Sequence, residues 1–404
     1  MSVKEKTKLA IVGTGIRGTF SFGDMCVNRD DCEIVALVDP NPVRSAAAAK
    51  KLNITPRFFP DIKAMLAEIV PDAVIITSPD VTHCPNAIAA LEGGCNVLLD
   101  KPLATKVVDC QKIIEVAEKT SKILMMGFNL RHSPVLKKLK EIISKGTLGK
   151  IFMIENREFY NGGRTYMARW NGNYEISGGL WIHKGSHDFD VFQWLMDFPK
   201  PVRVSSFSAL SVLDKNHLPF EVKDGVQPGP NCDKCAYNKI CPDRFPVEGK
   251  TELFNDEAAA CDGYIKDMCI YLNEKSVHDN GMAIVEYDNG ARAVHSECFI
   301  CSISDRKYTV CGDLGMAEVS LVESKITVMP RWSNDTVVYN VSPVEGGHGG
   351  ADPQLLDTFI KSVRGEIKST STAEHGMWSS ACGEAAEISW REHRTVEIKE
   401  LFRK

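Results

Sequence analysis

Two histidines and an aspartate stand at a regular spacing within the segment Leu180–Met196. His183, His187 and Asp190 are at positions i, i+4 and i+7, which share one face of an α-helix. A histidine has an ordinary pKa of about 6.5, so it can accept a proton near neutral pH and act as a general base. The spacing therefore predicts one helix with a polar, potentially catalytic face. The alternative is a pair of structural histidines that are hydrogen-bonded in the core.

A glycine motif near the start of the chain is typical of a dinucleotide-binding loop. The residues Gly13-Thr14-Gly15-Ile16-Arg17-Gly18 follow an apolar run and precede a predicted helix, which is the context that the motif requires. Gly13 would make the tight turn, Gly15 would let a pyrophosphate approach the backbone, and Gly18 would let helix and strand pack closely. Free N–H groups at the helix N-terminus would hold the phosphates.

An acidic residue ends the second apolar run. Asp39 follows the glycine motif by about 20 residues, where a carboxylate can accept hydrogen bonds from the adenosine ribose hydroxyls. It would repel a 2′-phosphate, so the sequence favours NAD over NADP, with Arg44 as the nearest candidate for a phosphate clamp. The alternative is an ordinary glycine turn followed by a surface aspartate.

The segment 214–280 carries a third group of residues with chemical potential. It has no clear periodicity but contains the pattern C-x2-C-x5-C-P and two later cysteines: Cys232, Cys235, Cys241, Cys261 and Cys269. Four thiolates can close a tetrahedral zinc site, and C-x2-C is the usual first half of one. An iron–sulfur cluster is the second metal hypothesis, and an insert with free thiols is the alternative to both.

The elements that must position these residues alternate in the first 130 residues. Five short apolar runs without polar alternation predict strands that are buried on both faces, as in a parallel sheet: Leu9–Val12, Ile34–Val38, Ala73–Ile76, Val97–Leu99 and Ile123–Met126. Longer amphipathic stretches between them predict helices: Pro42–Leu52, Asp61–Ile69, Asn86–Glu92 and Val107–Lys119. This alternation predicts a Rossmann doubly wound sheet over residues 1–128.

The remaining residues, 129–404, show a different pattern. Met282–Tyr287 and Ala291–Phe299 flank Asp288-Asn289-Gly290, a strong signal for a β-hairpin. Further short strands follow, and then helices at Pro353–Val363 and Glu374–Glu387. We therefore predict an α/β protein whose second, α+β domain has an open, largely antiparallel sheet and carries the cysteine segment as an insert.

Composition excludes several classes of protein. The 404 residues are 44% hydrophobic and 25% charged with a formal net charge of -5, so nothing indicates a nucleic-acid partner or a basic membrane-binding surface. We expect no secretory signal and no transmembrane helix. Fourteen cysteines, mostly single and within apolar runs, then fit reduced thiols in a cytoplasmic protein better than a disulfide framework.

Four short motifs together resemble the Gfo/Idh/MocA family, named for glucose–fructose oxidoreductase and inositol dehydrogenase. They are Ser78-Pro79-Asp80 with His83, Asp100-Lys101-Pro102, Phe128-Asn129 with Arg131, and His183-x3-His187-x2-Asp190. Two of them depart from the usual pattern, because Asp100 replaces Glu and His183 stands where Asp is usual. The resemblance covers nearly the whole chain except the cysteine segment.

The resemblance implies roles for individual residues. Lys101 and His187 would share the proton in catalysis, and His183 would relay a proton or bind a substrate hydroxyl without supplying a negative charge. Pro102 would follow a cis peptide bond. Some relatives also have a later Asp-x-Cys, which favours Cys269 over Cys261 as a fourth metal ligand. The residues implied to contact NAD, besides the glycine loop with Ile16 and Arg17, are Asp39, Ser78, Pro79, His83, Asp100, Lys101 and Asn129.

The predicted substrate site is less sharply defined. Four candidates for contact with sugar hydroxyls follow the first strand of the second domain: Arg157, Tyr160, Arg164 and Arg169. Two more, His183 and Asp190, belong to the predicted helix Leu180–Met196, and His348 lies in a glycine-rich loop at 346–352. The alternative for the arginines is an exposed loop. A sugar, glycoside or cyclitol would be oxidised at a secondary hydroxyl, with ring C3 preferred.

The same motifs are compatible with two other functions, and the strand pattern also predicts an assembly state. A redox-assisted enzyme that cleaves glycosides would retain its NAD, and a regulator would bind NAD without catalysis. Alternating apolar residues in strands such as Met282–Tyr287 would leave one sheet face exposed, and relatives commonly pair these sheets. We therefore expect a homo-oligomer, either a dimer or a tetramer.

Overall fold

The structure is a computed structural model that describes residues 5–245, 251–342, 344 and 347–402, with residue 348 in its backbone only. Within these residues the chain forms two β-sheets, and helices pack on both of them.

The first sheet has six parallel strands in the order β3-β2-β1-β4-β5-β6, as expected for a Rossmann fold. The strands are β1 Thr7–Val12, β2 Cys32–Val38, β3 Arg57–Phe59, β4 Ala73–Ile76, β5 Asn96–Leu99 and β6 Leu124–Met126. A π-helical turn, Arg17–Gly23, precedes the helices α1 Asp24–Val27, α2 Pro42–Leu52, α3 Ile62–Leu66, α4 His83–Glu92 and α5 Val107–Thr120. The predicted parallel sheet is thus confirmed, with β3 as an additional short edge strand.

The second sheet has nine strands in the order β14-β13-β12-β11-β7-β10-β9-β8-β15, and only the β10–β7 pair is parallel. Its strands are β7 Ile151–Asn161, β8 Pro201–Ala209, β9 Asn280–Tyr287, β10 Arg292–Cys298, β11 Ile300–Gly312, β12 Gly315–Ser320, β13 Lys325–Pro330, β14 Val337–Asn340 and β15 Val396–Glu397. The open, largely antiparallel sheet and the hairpin at Asp288–Gly290 are therefore confirmed.

Eight α-helices follow the Rossmann strands in the described part of the chain. They are α6 Pro134–Ser144, α7 Gly163–Met167, α8 Tyr174–Ser177, α9 Leu180–His183, α10 Ser186–Leu195, α11 Asp256–Asp262, α12 Gly347–Val363 and α13 Ala373–Glu392. Helix α12 packs on the Rossmann sheet, where Leu355 and Phe359 share a core cluster with Leu9 and Ile75. The C-terminal part of the chain therefore completes the first domain as well as the second.

The prediction of one helix over Leu180–Met196 is wrong. The helix breaks between His183 and Ser186, so α9 and α10 are separate. Gly185 lies in the break, where an added Cβ would come within 2.7 Å of the Trp181 carbonyl oxygen. Lys184 turns toward the sheet and pairs with Glu158 at 2.9 Å. The i, i+4 and i+7 spacing of the two histidines and Asp190 therefore does not lie on one continuous helix.

The length and polarity of the described helices also bear on membranes. None of them combines the length and apolar character that crossing a bilayer would require.

Candidate active site

The glycine loop has the geometry of a phosphate-binding turn. Gly13 has a φ of +91°, and a Cβ there would lie 2.7 Å from the Ser78 nitrogen, so only glycine fits. A Cβ on Gly18 would clash with the Gly13 carbonyl oxygen at 2.0 Å, whereas Gly15 has no atom within 4 Å of its Cβ position. Two glycines thus permit close backbone packing, and the third leaves open space where a pyrophosphate can approach.

Asp39 follows β2 and is held by the same loop. Its Oδ2 accepts hydrogen bonds from the backbone nitrogen and the hydroxyl of Thr14, both at 2.9 Å, and its Oδ1 accepts from the Asn41 nitrogen at 2.9 Å. Arg44, the candidate phosphate clamp, instead lies 3.4 Å from Asp39 as an ion pair. The carboxylate is therefore fixed beside the glycine loop, where an adenosine ribose would meet it.

Arg17 connects the glycine loop to the second half of the chain. Its guanidinium forms two hydrogen bonds with Asp352, at 2.7 and 3.0 Å, and a third with Asp100 at 3.1 Å. Asn129 also donates to Asp352, at 2.9 Å. Two predicted cofactor residues, Arg17 and Asn129, thus donate to one buried carboxylate of α12, whose role no sequence pattern indicated.

The loop after β4 is tied to the predicted catalytic lysine segment. The two ring nitrogens of His83 lie 2.7 Å from the Pro102 carbonyl oxygen and 3.0 Å from that of Ser78. The Lys101–Pro102 peptide is cis, in agreement with the resemblance. His83 therefore links the loop after β4 to the loop after β5. Ser78, in the first of these loops, lies beside Gly13 of the glycine loop.

Lys101 and His183 meet at the carboxyl edge of the Rossmann sheet. The Lys101 ammonium donates a hydrogen bond to the His183 carbonyl oxygen. Burial lowers the pKa of Lys101, although the nearby carboxylates of Asp80 and Asp100 act in the opposite direction. A lysine with a lowered pKa can exchange a proton with a substrate more readily than a free one.

Asp80 supplies the negative charge that position 183 lacks. His183 Nδ1 lies 2.6 Å from Asp80 Oδ2, and its Nε2 lies 2.9 Å from the amide nitrogen of Asn171. An amide nitrogen can only donate, so Nε2 accepts and the proton resides on Nδ1. Burial lowers the pKa of His183, with Asp80 opposing, which also favours the neutral ring. The sequence pattern indicated Asp80 only as part of the motif Ser78-Pro79-Asp80.

His187 and Asp190 occupy successive turns of α10 with different surroundings. His187 is in the first turn and 9% exposed. Asp190 is buried and both of its oxygens accept hydrogen bonds from Arg131, at 2.8 and 2.5 Å. The structure therefore gives Asp190 a partner other than substrate and favours a supporting role for it.

Aromatic residues from the segment after β7 surround His183. The ring centroids of Tyr166 and Trp170 lie 5.7 and 5.2 Å from that of His183. Tyr160 lies against Tyr166 at 5.9 Å, and Lys184 lies 4.8 Å from the Tyr160 ring. A wall of aromatic rings beside polar groups suits the apolar faces and hydroxyls of a sugar ring. Only Tyr160 was predicted among these rings.

The other predicted substrate residues are not brought together. Arg157 is on the exposed face of β7, opposite to Glu158, and stacks on Phe159. Arg164 donates to the Arg244 carbonyl oxygen at 3.4 Å, in the cysteine insert. The helix α12 begins before the predicted Pro353, and the side chain of His348 lies outside the described residues.

The cysteine insert gathers four of its thiols around one small cavity. Cys232, Cys235, Cys241 and Cys269 line it, together with Tyr271, while Cys261 is exposed on α11. However, among the described residues no three His, Cys, Asp or Glu side chains come close enough to hold a metal ion. The geometry therefore does not support the zinc prediction as it stands.

A parallel sheet with this glycine loop, an acid after β2 and a buried lysine at its carboxyl edge defines a dinucleotide-dependent oxidoreductase. Family comparison agrees. Residues 7–128 match the NAD-binding Rossmann fold of the Gfo/Idh/MocA oxidoreductase family, and residues 140–398 match its C-terminal alpha/beta domain. The chain belongs to this family and is an NAD-binding oxidoreductase.

Individual relatives include sugar and cyclitol dehydrogenases. The chain is 30% identical to a putative oxidoreductase, YteT, of Bacillus subtilis, covering 92% of each chain. It is 28% identical to a myo-inositol 2-dehydrogenase of Thermotoga maritima, covering 98% of this chain and 99% of the relative. It is also 28% identical to a D-glucoside 3-dehydrogenase of Escherichia coli, over 50% of this chain and 58% of that protein.

The fold is also similar to that of solved structures. A levoglucosan dehydrogenase in complex with NADH matches with a TM-score of 0.73 at 14% identity, covering 98% of this chain and 99% of the other. At this identity the match describes the fold alone.

Proposed function

We propose that the chain oxidises a secondary hydroxyl of a sugar, glycoside or cyclitol and transfers the hydride to NAD. The observation that carries the proposal is the placement of Lys101 and the His183–Asp80 pair beside the dinucleotide loop, next to an aromatic wall. The relatives named myo-inositol 2-dehydrogenase and D-glucoside 3-dehydrogenase support this substrate class, and the second name favours ring C3.

Bound NAD supplies the hydride acceptor, and the residues of the chain handle the proton. Oxidation breaks the O–H and C–H bonds of the alcohol, so one proton must leave the oxygen as the hydride leaves carbon. Neutral Lys101 and His187 form the acid–base pair that accepts it, and the lowered pKa of Lys101 favours this state. His183, neutral and held at both ring nitrogens by Asp80 and Asn171, fixes the carbonyl oxygen to which Lys101 donates and so positions the lysine.

Two other functions use the same fold differently. A glycoside-cleaving enzyme would retain NAD and regenerate it in each turnover, so no NADH would accumulate. A regulator would bind NAD with no acid–base group, and the buried Lys101 beside a histidine–aspartate pair argues against that function.

A substrate screen separates these functions. Purified protein should reduce NAD with at least one sugar, glycoside or inositol, as followed by NADH absorbance and by product mass. Product without NADH would favour the retaining enzyme. Binding of NAD with no conversion in any reaction, including glycosides, would favour the regulator.

We propose that the exposed face of the second sheet pairs two or more copies of the chain. Phe207 and Met282 are register partners on β8 and β9, and they are 81% and 61% exposed. Ile284, the next outward residue on β9, is 50% exposed, so the apolar patch is continuous. Light scattering at micromolar concentration should give a dimer or tetramer mass.

Substitution tests whether this face forms the interface. Phe207→Glu with Met282→Glu should yield monomers, because two carboxylates per subunit would be buried unpaired. Val322→Glu changes a similarly exposed apolar residue at the turn after β12 and should keep the wild-type mass. A monomeric wild-type chain would contradict the proposal.

We propose that Cys232, Cys235, Cys241 and Cys269 bind one structural zinc ion. Backbone N–H groups already donate to two of the sulfurs, from Phe245 to Cys232 at 3.2 Å and from Gly229 to Cys235 at 3.3 Å. Such donors favour the thiolate, whereas burial raises the pKa of the Cys232 thiol. Zinc would therefore have to displace that proton and draw the sulfurs closer together.

Elemental analysis tests the zinc proposal. Protein purified without chelator should hold about one zinc per chain, as four thiolates complete one tetrahedral site. Cys232→Ser with Cys235→Ser should remove the metal and lower the unfolding temperature without weakening NAD binding, whereas Cys261→Ser should change neither. Metal-free protein whose thiols all react in the native state would contradict the proposal.

A further inference from the structure

Part of the cysteine insert reaches back to the Rossmann domain. Residues 251–266, which we call the ribose wall, contain α11 and pack on α2. Leu253 and Phe254 of the wall share a buried cluster with Ala47 of α2. This contact lies at the end of the sheet where Asp39 follows β2, so the insert borders the adenosine side of the dinucleotide site.

One wall residue pairs with the side chain that would clamp a phosphate. Asp262 Oδ2 lies 2.8 Å from Arg44 Nη2 and accepts a hydrogen bond from Asn41 Nδ2 at 2.9 Å. The same Asn41 amide donates to the Ala258 carbonyl oxygen at 2.8 Å. The polar residues that follow Asp39 are thus bound to the insert rather than directed toward a cofactor.

Aromatic rings of the wall complete the enclosure of Arg44. The guanidinium carbon lies 5.6 Å from the ring centroid of Phe254 and 5.9 Å from that of Tyr264. One end of the guanidinium meets Asp39 and the other meets Asp262. Because Arg44 has two carboxylate partners and is only 8% exposed, it is held as a structural cation.

We propose that Asp262 is a second specificity-determining residue for NAD, contributed by the insert to the adenosine ribose site. A 2′-phosphate near Asp39 would have to displace a carboxylate from Arg44 and would face the negative charges of both Asp39 and Asp262. A 2′-hydroxyl requires neither change. Asp262 therefore acts against NADP by occupying the cation that would otherwise neutralise the phosphate.

The proposal rests on the use of NAD in the proposed function. It adds Asp262, which is far from Asp39 in sequence, to the residues that select NAD. It also implies that Asp39 does not determine specificity alone. Removing the Asp39 charge leaves Arg44 paired with Asp262, so NADPH binding should improve only slightly. Removing both charges should release Arg44 to bind the 2′-phosphate.

The experiment compares dissociation constants for NADH and NADPH by fluorescence titration of the full chain. The variants are Asp39→Asn, Asp262→Asn, the double variant, and the double variant with Arg44→Ala. Asp262→Asn should lower the NADPH-to-NADH ratio of dissociation constants by roughly tenfold, because it leaves Arg44 with only the longer of its two ion pairs, at 3.4 Å to Asp39 instead of 2.8 Å to Asp262. The double variant should lower the ratio by roughly a hundredfold, because Arg44 then has neither carboxylate partner. Arg44→Ala should abolish the gain of the double variant.

The control is Glu257→Gln, which removes one exposed negative charge from the same helix. It should leave the ratio unchanged within about twofold, as a solvent-screened charge contributes little. A ratio of two constants does not depend on the active fraction, so partial misfolding of a variant does not mimic the effect. A ratio in Asp262→Asn equal to that of Glu257→Gln would overturn the role of Asp262, whereas a wild-type chain that binds neither nucleotide would overturn the proposed function.

Discussion

Lys101→Ala and His187→Ala should each lower kcat by about 10²–10⁴-fold, the usual contribution of a positioned acid–base group. The reason is that the hydroxyl proton must leave as the hydride does, and the buried Lys101 has a pKa lowered by desolvation, as a proton acceptor needs. The dissociation constant for NADH should change far less, since the glycine loop and Asp39 remain intact. Steady-state kinetics and fluorescence titration give the two quantities.

Lys106→Ala is the matched control for the lysine variant. Lys106 is also partly buried; it donates to the Tyr174 hydroxyl at 2.9 Å and pairs with Glu384 at 3.5 Å, and neither partner is assigned to the proton transfer. Its loss should reduce stability slightly and leave kcat within a few-fold of wild type, because a hydrogen bond contributes about 1 kcal/mol. Near-normal turnover in both Lys101→Ala and His187→Ala would refute the acid–base assignment.

The Rossmann half of the molecule could be predicted because its signals are local. Each parallel strand except β3 contains an uninterrupted apolar run, and the bounds of α2 agree with the sequence pattern at both ends. The roles of Gly13, Gly15 and Gly18 were predicted from the motif, and the structure gives each of them a matching backbone geometry. Strand β3 was missed because three residues carry too little periodicity.

The segment that carries His183 and His187 could not be predicted correctly because its helix break depends on distant contacts. Lys184 leaves the helix to pair with Glu158, and Asp188 of the next turn accepts from Tyr308 at 2.7 Å. Both partners come from strands of the second sheet. A continuous 3.6-residue pattern therefore predicted one helix where the chain forms two.

The substrate residues also could not be predicted from local sequence patterns, because their contacts depend on the tertiary structure. Alternation along β7 places Arg157 and Tyr160 on opposite faces, and sequence proximity alone could not tell which face borders the site. Asp80 was overlooked as a partner of His183 because 103 positions separate them. Only the sheet topology, which brings the β4 loop to α9, makes them neighbours.

His183→Asp should lower kcat by about 10²-fold, although it restores the residue type usual in the family. A carboxylate at position 183 would face Asp80 at the distance now spanned by the 2.6 Å hydrogen bond, and two buried like charges repel. Asp80→Asn should also impair catalysis, because it removes the acceptor that orients the His183 ring. The double variant, with one carboxylate and one amide, should recover kcat to within about tenfold of wild type.

The pH dependence distinguishes this charge exchange from a general loss of packing. The Asp80 carboxylate raises the pKa of Lys101 by stabilising its protonated form, against the larger effect of burial. Oxidation needs neutral Lys101, so kcat/KM rises as pH increases through that pKa. Asp80→Asn should therefore move the rising limb to lower pH, and the double variant should return it because the carboxylate introduced at position 183 restores a negative charge nearby. If kcat/KM of all three variants rose at the same pH as in the wild type while their activity fell equally, the Asp80 charge would not act on Lys101. Asp80 would then contribute to packing alone.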